Sequence, residues 1–319
     1  MKHPLPFVSG GLAFSIILFA CAPATQIPTV EVSPTPPREV TVVPLTGSAA
    51  TPIIIQHKAI PGELPANRVN RTGDHDSSST AEERRAPGGD RFTFGHFERP
   101  FNAETMDIYY PDLDIQDVSV FRDDIWVYSS ILVKGREEPN PFPGNYALEL
   151  DLDLDGAGDL FILARRPSIE DWTSLGVQIW ADDNRDVGGK LVINADLDGR
   201  GDGYEHLIFD QGMGNNPDLA WVRVPPDQPG IVQIAFMRLL LVGDRAYLMG
   251  VWAGYDDLQP GLFDLNDHFT QAEAGEAMTV MGSLYPIKEL SGVDSTCRMA
   301  IGFEPTGAEP GLCKQLAAP

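Results

Sequence analysis

From about residue 91 onward, apolar and polar positions alternate in short runs, each closed by Gly, Pro or Asp. "DVSVFRDDIWVYSSILV" reads as a hairpin turning at Arg122-Asp123-Asp124. Its second strand sets Ile125, Val127, Ser129, Ile131 and Val133 against Trp126, Tyr128, Ser130 and Leu132. "YALELDLDLD", "LFILA", "GVQIWAD", "KLVIN", "EHLIFD", "LAWVRV", "IVQIAFM", "RAYLMGVWAG" and "CRMAIGF" continue the pattern. About ten such strands, with turns roughly every dozen residues and no βαβ rhythm, predict an all-β fold. The expected architecture is an antiparallel sandwich, jelly-roll or immunoglobulin-like in topology. "FMRLLLVGD" and "DHFTQAEAGEA" supply one or two short helices.

The clearest alternation carries an unusual charge pattern. In "YALELDLDLDGAGD", Tyr146, Leu148, Leu150, Leu152 and Leu154 share one face, and Glu149, Asp151, Asp153 and Asp155 the other. Like charges about 7 Å apart on one strand face repel unless water or a cation screens them. One reading is a solvated strand closed by an Asp155-Gly156 turn. The other takes Asp151, Asp153, Asp155 and Asp159 as oxygen ligands gathered around Gly156, the arrangement a calcium ion requires. "NADLDGRGDGYE" repeats the spacing more fully, with Asn194, Asp196, Asp198, Asp202 and Glu205 as ligands and Gly199 in sixth place. Its flanks, "KLVIN" and "HLIFD", are β-rich, so the helices of an EF-hand are not expected and the loop becomes a calcium-type turn between strands. "DDNRDVGG" offers a third set in Asp182, Asn184 and Asp186.

The first 90 residues have a different character. Residues 1–20 contain an apolar run from Leu12 to Phe19, the length of a signal-peptide core. It ends in Leu18-Phe19-Ala20-Cys21, which resembles the lipobox of bacterial surface lipoproteins. That resemblance implies cleavage before Cys21, lipidation of its thiol and an extracytoplasmic position on a membrane. Residues 21–90 are rich in Pro, Thr and Ser and predict a disordered tether ahead of a domain at 91–319. "TPIIIQHKAI" is the apolar exception and could dock as a strand.

Composition narrows the function classes. A formal net charge of −23 argues against nucleic acid as a partner, because phosphate binding needs clustered Lys and Arg. Beyond Cys21 only Cys297 and Cys313 remain, and an even pair in an exported chain predicts a disulfide. The chain has no nucleophile elbow, zinc-protease helix or phosphate loop. Asp267-His268 in "NDHFT" reads as a surface pair rather than an acid/base couple.

"DIWVYSSILVKG", "DWTSLGVQIWADDNRDVGG" and "IVQIAFMRLLLVGD" carry a resemblance. Through them residues 105–255 resemble carbohydrate-binding-module family 9 and DOMON-like sandwiches. The resemblance implies a sandwich that takes sugar, haem or quinone-type ligands. For a glycan, aromatic rings would stack on sugar faces, and Trp172 in the loop "SIEDWTSLG", with Tyr109 and Tyr110 next, are the candidate ligand-binding residues. The expectation is a lipid-anchored, extracytoplasmic, non-catalytic protein whose calcium-supported sandwich binds a glycan or another envelope or extracellular polymer. The alternatives are a polysaccharide hydrolase using loop carboxylates and a structural or partner-docking domain.

Overall fold

The computed structural model describes residues 55–84, 96–102, 107–135, 142–156, 158–185, 187, 203–243, 245–256, 258–262, 288–309 and 311–313. All of them fall within one unit, Ile53–Pro319. The strands are β1 (Arg68–Gly73), β2 (His96–Arg99), β3 (Ile115–Arg122), β4 (Trp126–Val133), β5 (Asn145–Asp151), β6 (Leu160–Arg165) and β7 (Val177–Ala181). They continue as β8 (His206–Asp210), β9 (Ala220–Arg223), β10 (Ile231–Met237), β11 (Tyr247–Gly254), β12 (Lys288–Ser291), β13 (Val293–Ser295) and β14 (Met299–Ile301). Short 3-10 turns at Ser77–Glu83, Arg238–Leu241 and Pro260–Leu262 are the only helical pieces among the described residues.

Two sheets form the expected sandwich. One has the order β1-β3-β4-β10-β9, and the other β12-β2-β13-β11-β5-β6-β7-β8, with β14 also on β11. Every described pair is antiparallel except β12 with β2. The period-two pattern has its intended result: Val118, Val120, Val127, Ile131, Ile234 and Phe236 from the first sheet meet Tyr146, Leu148, Leu150, Ile162, Ile179 and Val251 from the second. Each such fully buried side chain contributes about 1.5–3 kcal/mol through removal of apolar area from water.

Two expectations change here. Residues 55–84, placed in the tether by their composition, fold with the sandwich: β1 pairs with β3, and residues 57–64 lie against the five-stranded sheet. The apolar island that ends at Ile60 marks the start of this segment, and the polar residues after it are held by hydrogen bonds, with Thr72 and Ser77 also buried. The second change concerns β5, which stops at Asp151 instead of running to Asp155. Its acidic face is not solvated either, because Glu149 and Asp151 are both buried.

The C-terminal strands explain that burial. β13 pairs with Trp252–Gly254 and β14 with Tyr247–Met249, so both lie along the same side of β11, opposite β5. Between them the chain leaves the ladder, and Thr296 bridges the break by donating its N–H to the Val251 carbonyl (2.9 Å) and accepting from the Val251 N–H at its hydroxyl (3.1 Å). The Cys297–Cys313 disulfide closes the following loop, with Cα atoms 4.9 Å apart. Across a sixteen-residue separation such a bridge stabilises by roughly 3 kcal/mol in the chain-entropy account. It also fixes Arg298, whose N–H donates to the Gly311 carbonyl (2.8 Å) and whose carbonyl accepts from Cys313 (2.9 Å).

Candidate functional site

In a meander of antiparallel strands, alternate connections fall at the same end. The β5–β6 turn and the β7–β8 connection therefore meet. Gly158 donates to the Val187 carbonyl (2.9 Å), Asp182 to the Asp159 carbonyl (3.1 Å), and the Asp183 N–H to the Glu205 carboxylate (3.1 Å). Acidic turns that are separate in sequence thus form one end of the sandwich.

The first two of these turns are built alike. Asp151 accepts the Leu154 N–H at 2.6 Å and the Gly156 N–H at 3.0 Å. Asp182 accepts the Arg185 N–H at 2.6 Å and the Val187 N–H at 3.0 Å. The fourth residue of each turn has positive φ, 65° at Leu154 and 66° at Arg185. The leading carboxylate in each case satisfies amides that a tight turn would otherwise leave unpaired.

In the first turn Asp151, Asp153 and Asp159 converge, with one ligand oxygen from each lying within 4.8 Å of the others. Two oxygens bound to one ion at about 2.4 Å each can be no more than about 4.8 Å apart, so this set could hold a metal ion. The donors are all carboxylate oxygens, which a hard divalent cation prefers. Asp155 stands aside and shares Arg185 with Asp153, the guanidinium nitrogen lying 3.0 Å from Asp153 and 3.6 Å from Asp155. Arg185 is exposed, and such a surface pair is worth at most about 1 kcal/mol. Among the other expected ligands, Asp182 accepts the backbone amides of its turn just as Asp151 does, and also accepts the Asn184 N–H (3.1 Å). Glu205 is exposed and bonded to Asp183. Asp186, Asn194, Asp196, Asp198 and Asp202 lie outside the described residues, as do Cys21 and the Asp267-His268 pair.

Asp151 also belongs to a buried ionic centre that sequence reasoning missed. The Arg298 guanidinium lies 2.7 Å from Glu149 and 3.4 Å from Asp151, and donates to the Gly156 carbonyl at 2.8 Å. Trp252 Nε1 donates to the other Glu149 oxygen (2.9 Å). Two carboxylates thus share one guanidinium. Burial pushes Asp151 up to about 6 against the pull of Arg298. Asp159 is raised by burial and by the charges of Asp153 and Asp155. Among the described residues, the carboxylates of Glu149, Asp151, Asp153, Asp155 and Asp159 outnumber the guanidinium groups of Arg185 and Arg298 that face them.

The aromatic candidates fall elsewhere and are less free than the sequence implies. Tyr109 donates its hydroxyl to Asp114, and the Tyr110 ring packs edge-on against Tyr255 at 4.9 Å, so both serve the fold. Trp172 is half-buried, donates its indole N–H to the Gly62 carbonyl (2.9 Å), and carries the Arg223 guanidinium 4.6 Å from its ring centroid. It belongs to a cluster on the outer face of the five-stranded sheet with Trp126, Tyr128 and Trp221. Residues 57–64 cover this face, anchored where Asp218 accepts from the Lys58 N–H (2.8 Å), the Ala59 N–H (2.9 Å) and the His57 ring (2.8 Å).

Burial alone would raise the Asp218 pKa, but these donors hold it below the usual carboxylate value. A carboxylate with a depressed folded-state pKa stabilises above its unfolded value and loses that contribution as pH falls through the folded one. Protection of the Lys58 and Ala59 amides from hydrogen exchange should therefore fall below about pH 4 while β10 amides keep theirs. Equal protection of both at pH values down to about 3 would show that Asp218 does not hold this segment.

Comparison with known proteins adds no relative: no protein-family model, no curated protein and no solved structure matches this chain.

Proposed function

We propose that the chain is a lipid-anchored, extracytoplasmic and non-catalytic binding protein. A divalent cation, calcium in an extracellular setting, stiffens the acidic end of its sandwich, and its ligand is a glycan or another envelope or extracellular polymer. The observation that carries this reading is the convergence of Asp151, Asp153 and Asp159 on one point beside a buried centre with surplus negative charge. A bound cation would draw the three turn carboxylates together and offset their repulsion. The Cys297–Cys313 disulfide supports an oxidising compartment. The lipobox-like Cys21 supplies the anchor, and the resemblance to carbohydrate-binding sandwiches supplies the ligand class.

The full chain should be retained on a subset of immobilised polysaccharides in millimolar calcium and released by chelator. Release of reducing ends from the same panel would replace this reading with a hydrolase. Absence of both retention and turnover would leave a docking domain.

A further inference from the structure

Residues 55–64 cross the outer face of the five-stranded sheet between β9, where the His57 ring lies 4.4 Å from that of Trp221, and β1, which begins at Arg68. Burial alternates along them: Ile55, His57, Ala59 and Pro61 are covered, while Gln56, Lys58 and Ile60 are exposed. The segment is therefore extended, yet among the described residues no backbone–backbone hydrogen bond ties it to a strand. It is held by side chains. Asp218 takes the Lys58 and Ala59 amides, Trp172 the Gly62 carbonyl, and Arg223 forks onto the Glu63 carboxylate at 3.1 and 3.0 Å. Rings of Trp221, Tyr128 and Trp172 supply the apolar floor.

This is how a receptor holds an extended peptide, with pockets and side-chain hydrogen bonds, rather than how a sheet incorporates a strand. The floor also keeps an unused donor. Gln233 is buried and faces outward beside Arg223, which donates to its Oε1 (2.6 Å), while its Nε2 has no partner among the described residues. A ligand that brings an acceptor to that amide would gain a hydrogen bond that no described residue of the cis segment makes.

We propose that this face is an extended-peptide receptor, occupied in cis by residues 55–64, whose ligand in trans is a segment of another protein with the same chemistry. That chemistry is an imidazole flanked by small or apolar residues at alternate positions, a Pro-Gly step, and a carboxylate directly after the glycine, with a carbonyl able to reach Gln233. The receptor goes beyond the cation and glycan reading and does not depend on it. Only residues 65–67 separate the cis segment from β1, which sets an effective concentration of the order of millimolar and keeps the groove closed to dilute competitors.

The test uses a fluorescent peptide of residues 55–66 and the full chain carrying His57→Ala with Glu63→Ala. These substitutions weaken the cis segment and leave Asp218, Trp172, Trp221 and Arg223 intact. Trypsin cleavage after Lys58 reports release. The released chain should bind the peptide at least about tenfold more tightly than the wild type does, because the cis competitor is gone. Binding should disappear on adding Arg223→Ala to the chain or Glu63→Lys to the peptide. A second chain with residues 57–63 replaced by Gly and Ser exposes the groove whether or not the first variant releases. A wild-type dimer dissolved by the peptide would put a second copy of this chain in the groove and overturn another protein as its occupant. Peptide binding by neither variant overturns the proposal, as does glycan retention that appears on release without peptide binding.

Discussion

Arg298→Met is expected to destabilise the domain by about 3–5 kcal/mol, the range for removing one partner of a buried ion pair. Methionine fills much of the volume, so the loss is electrostatic. Glu149 and Asp151, whose side chains have 0 % exposure, would lose the guanidinium that lies 2.7 and 3.4 Å from them and would have to stay charged and unpaired or take up protons at the expense of folding. In a domain of this size the melting midpoint should fall by the order of 10 °C. The deficit should shrink in acid. Burial already pushes the Asp151 carboxyl up to about 6, above the ordinary carboxylate value, so the stability its protonated form supplies is fully present below about pH 4 and is lost as pH rises through about 6. Adding Glu149→Gln and Asp151→Asn to the same chain should restore most of the stability, because a neutral triad carries no unpaired charge. A single Arg298→Met variant within about 0.5 kcal/mol of wild type would show that the buried centre is not ionic.

Gly158→Ala should cost about 3 kcal/mol, at the upper end for overpacking. An added Cβ would lie 2.0 Å from the Tyr204 hydroxyl and 2.6 Å from a Glu149 carboxylate oxygen. Neither neighbour can retreat cheaply. Tyr204 is fully buried and stacked on Phe161, with ring centroids 5.1 Å apart, and Glu149 is held by Arg298 and Trp252. The backbone cannot shift freely either, since Gly158 donates to Val187 across the two acidic turns. Tyr204→Phe should recover part of the loss in Gly158→Ala, a coupling that urea unfolding of the double variant would measure. Additive losses in the two single variants would remove the clash as the cause.

Local pattern revealed much of this molecule and long-range pairing almost none. The hairpin at Arg122-Asp123-Asp124, the strands "LFILA", "IVQIAFM" and "RAYLMGVWAG", and the disulfide were legible because periodicity and an even cysteine count are local or global facts of composition. The turn at Asp151 was legible in part: its carboxylate spacing was visible, but not that β5 would end there or that its acidic face would be buried. That burial depends on Arg298, 149 positions from Glu149, and an isolated arginine in "STCRMA" carries no signal of its destination. Asp218 and His57 are 161 positions apart and illustrate the same limit. Only the apolar "TPIIIQHKAI" hinted that the supposed tether folds back, and Trp172 looked exposed because the segment that covers it looked unstructured.

A divalent cation held at the acidic end of the sandwich should register in thermal melting of the full chain at neutral pH. Millimolar calcium should raise the midpoint by about 3–6 °C over chelator, the shift for a site with a dissociation constant of the order of 0.1 mM. Asp153→Asn with Asp159→Asn should abolish that rise while the chelated midpoint stays the same or increases, since carboxylate repulsion is relieved. A wild-type midpoint that is unchanged by millimolar calcium, or a rise that survives the double substitution, would contradict the account.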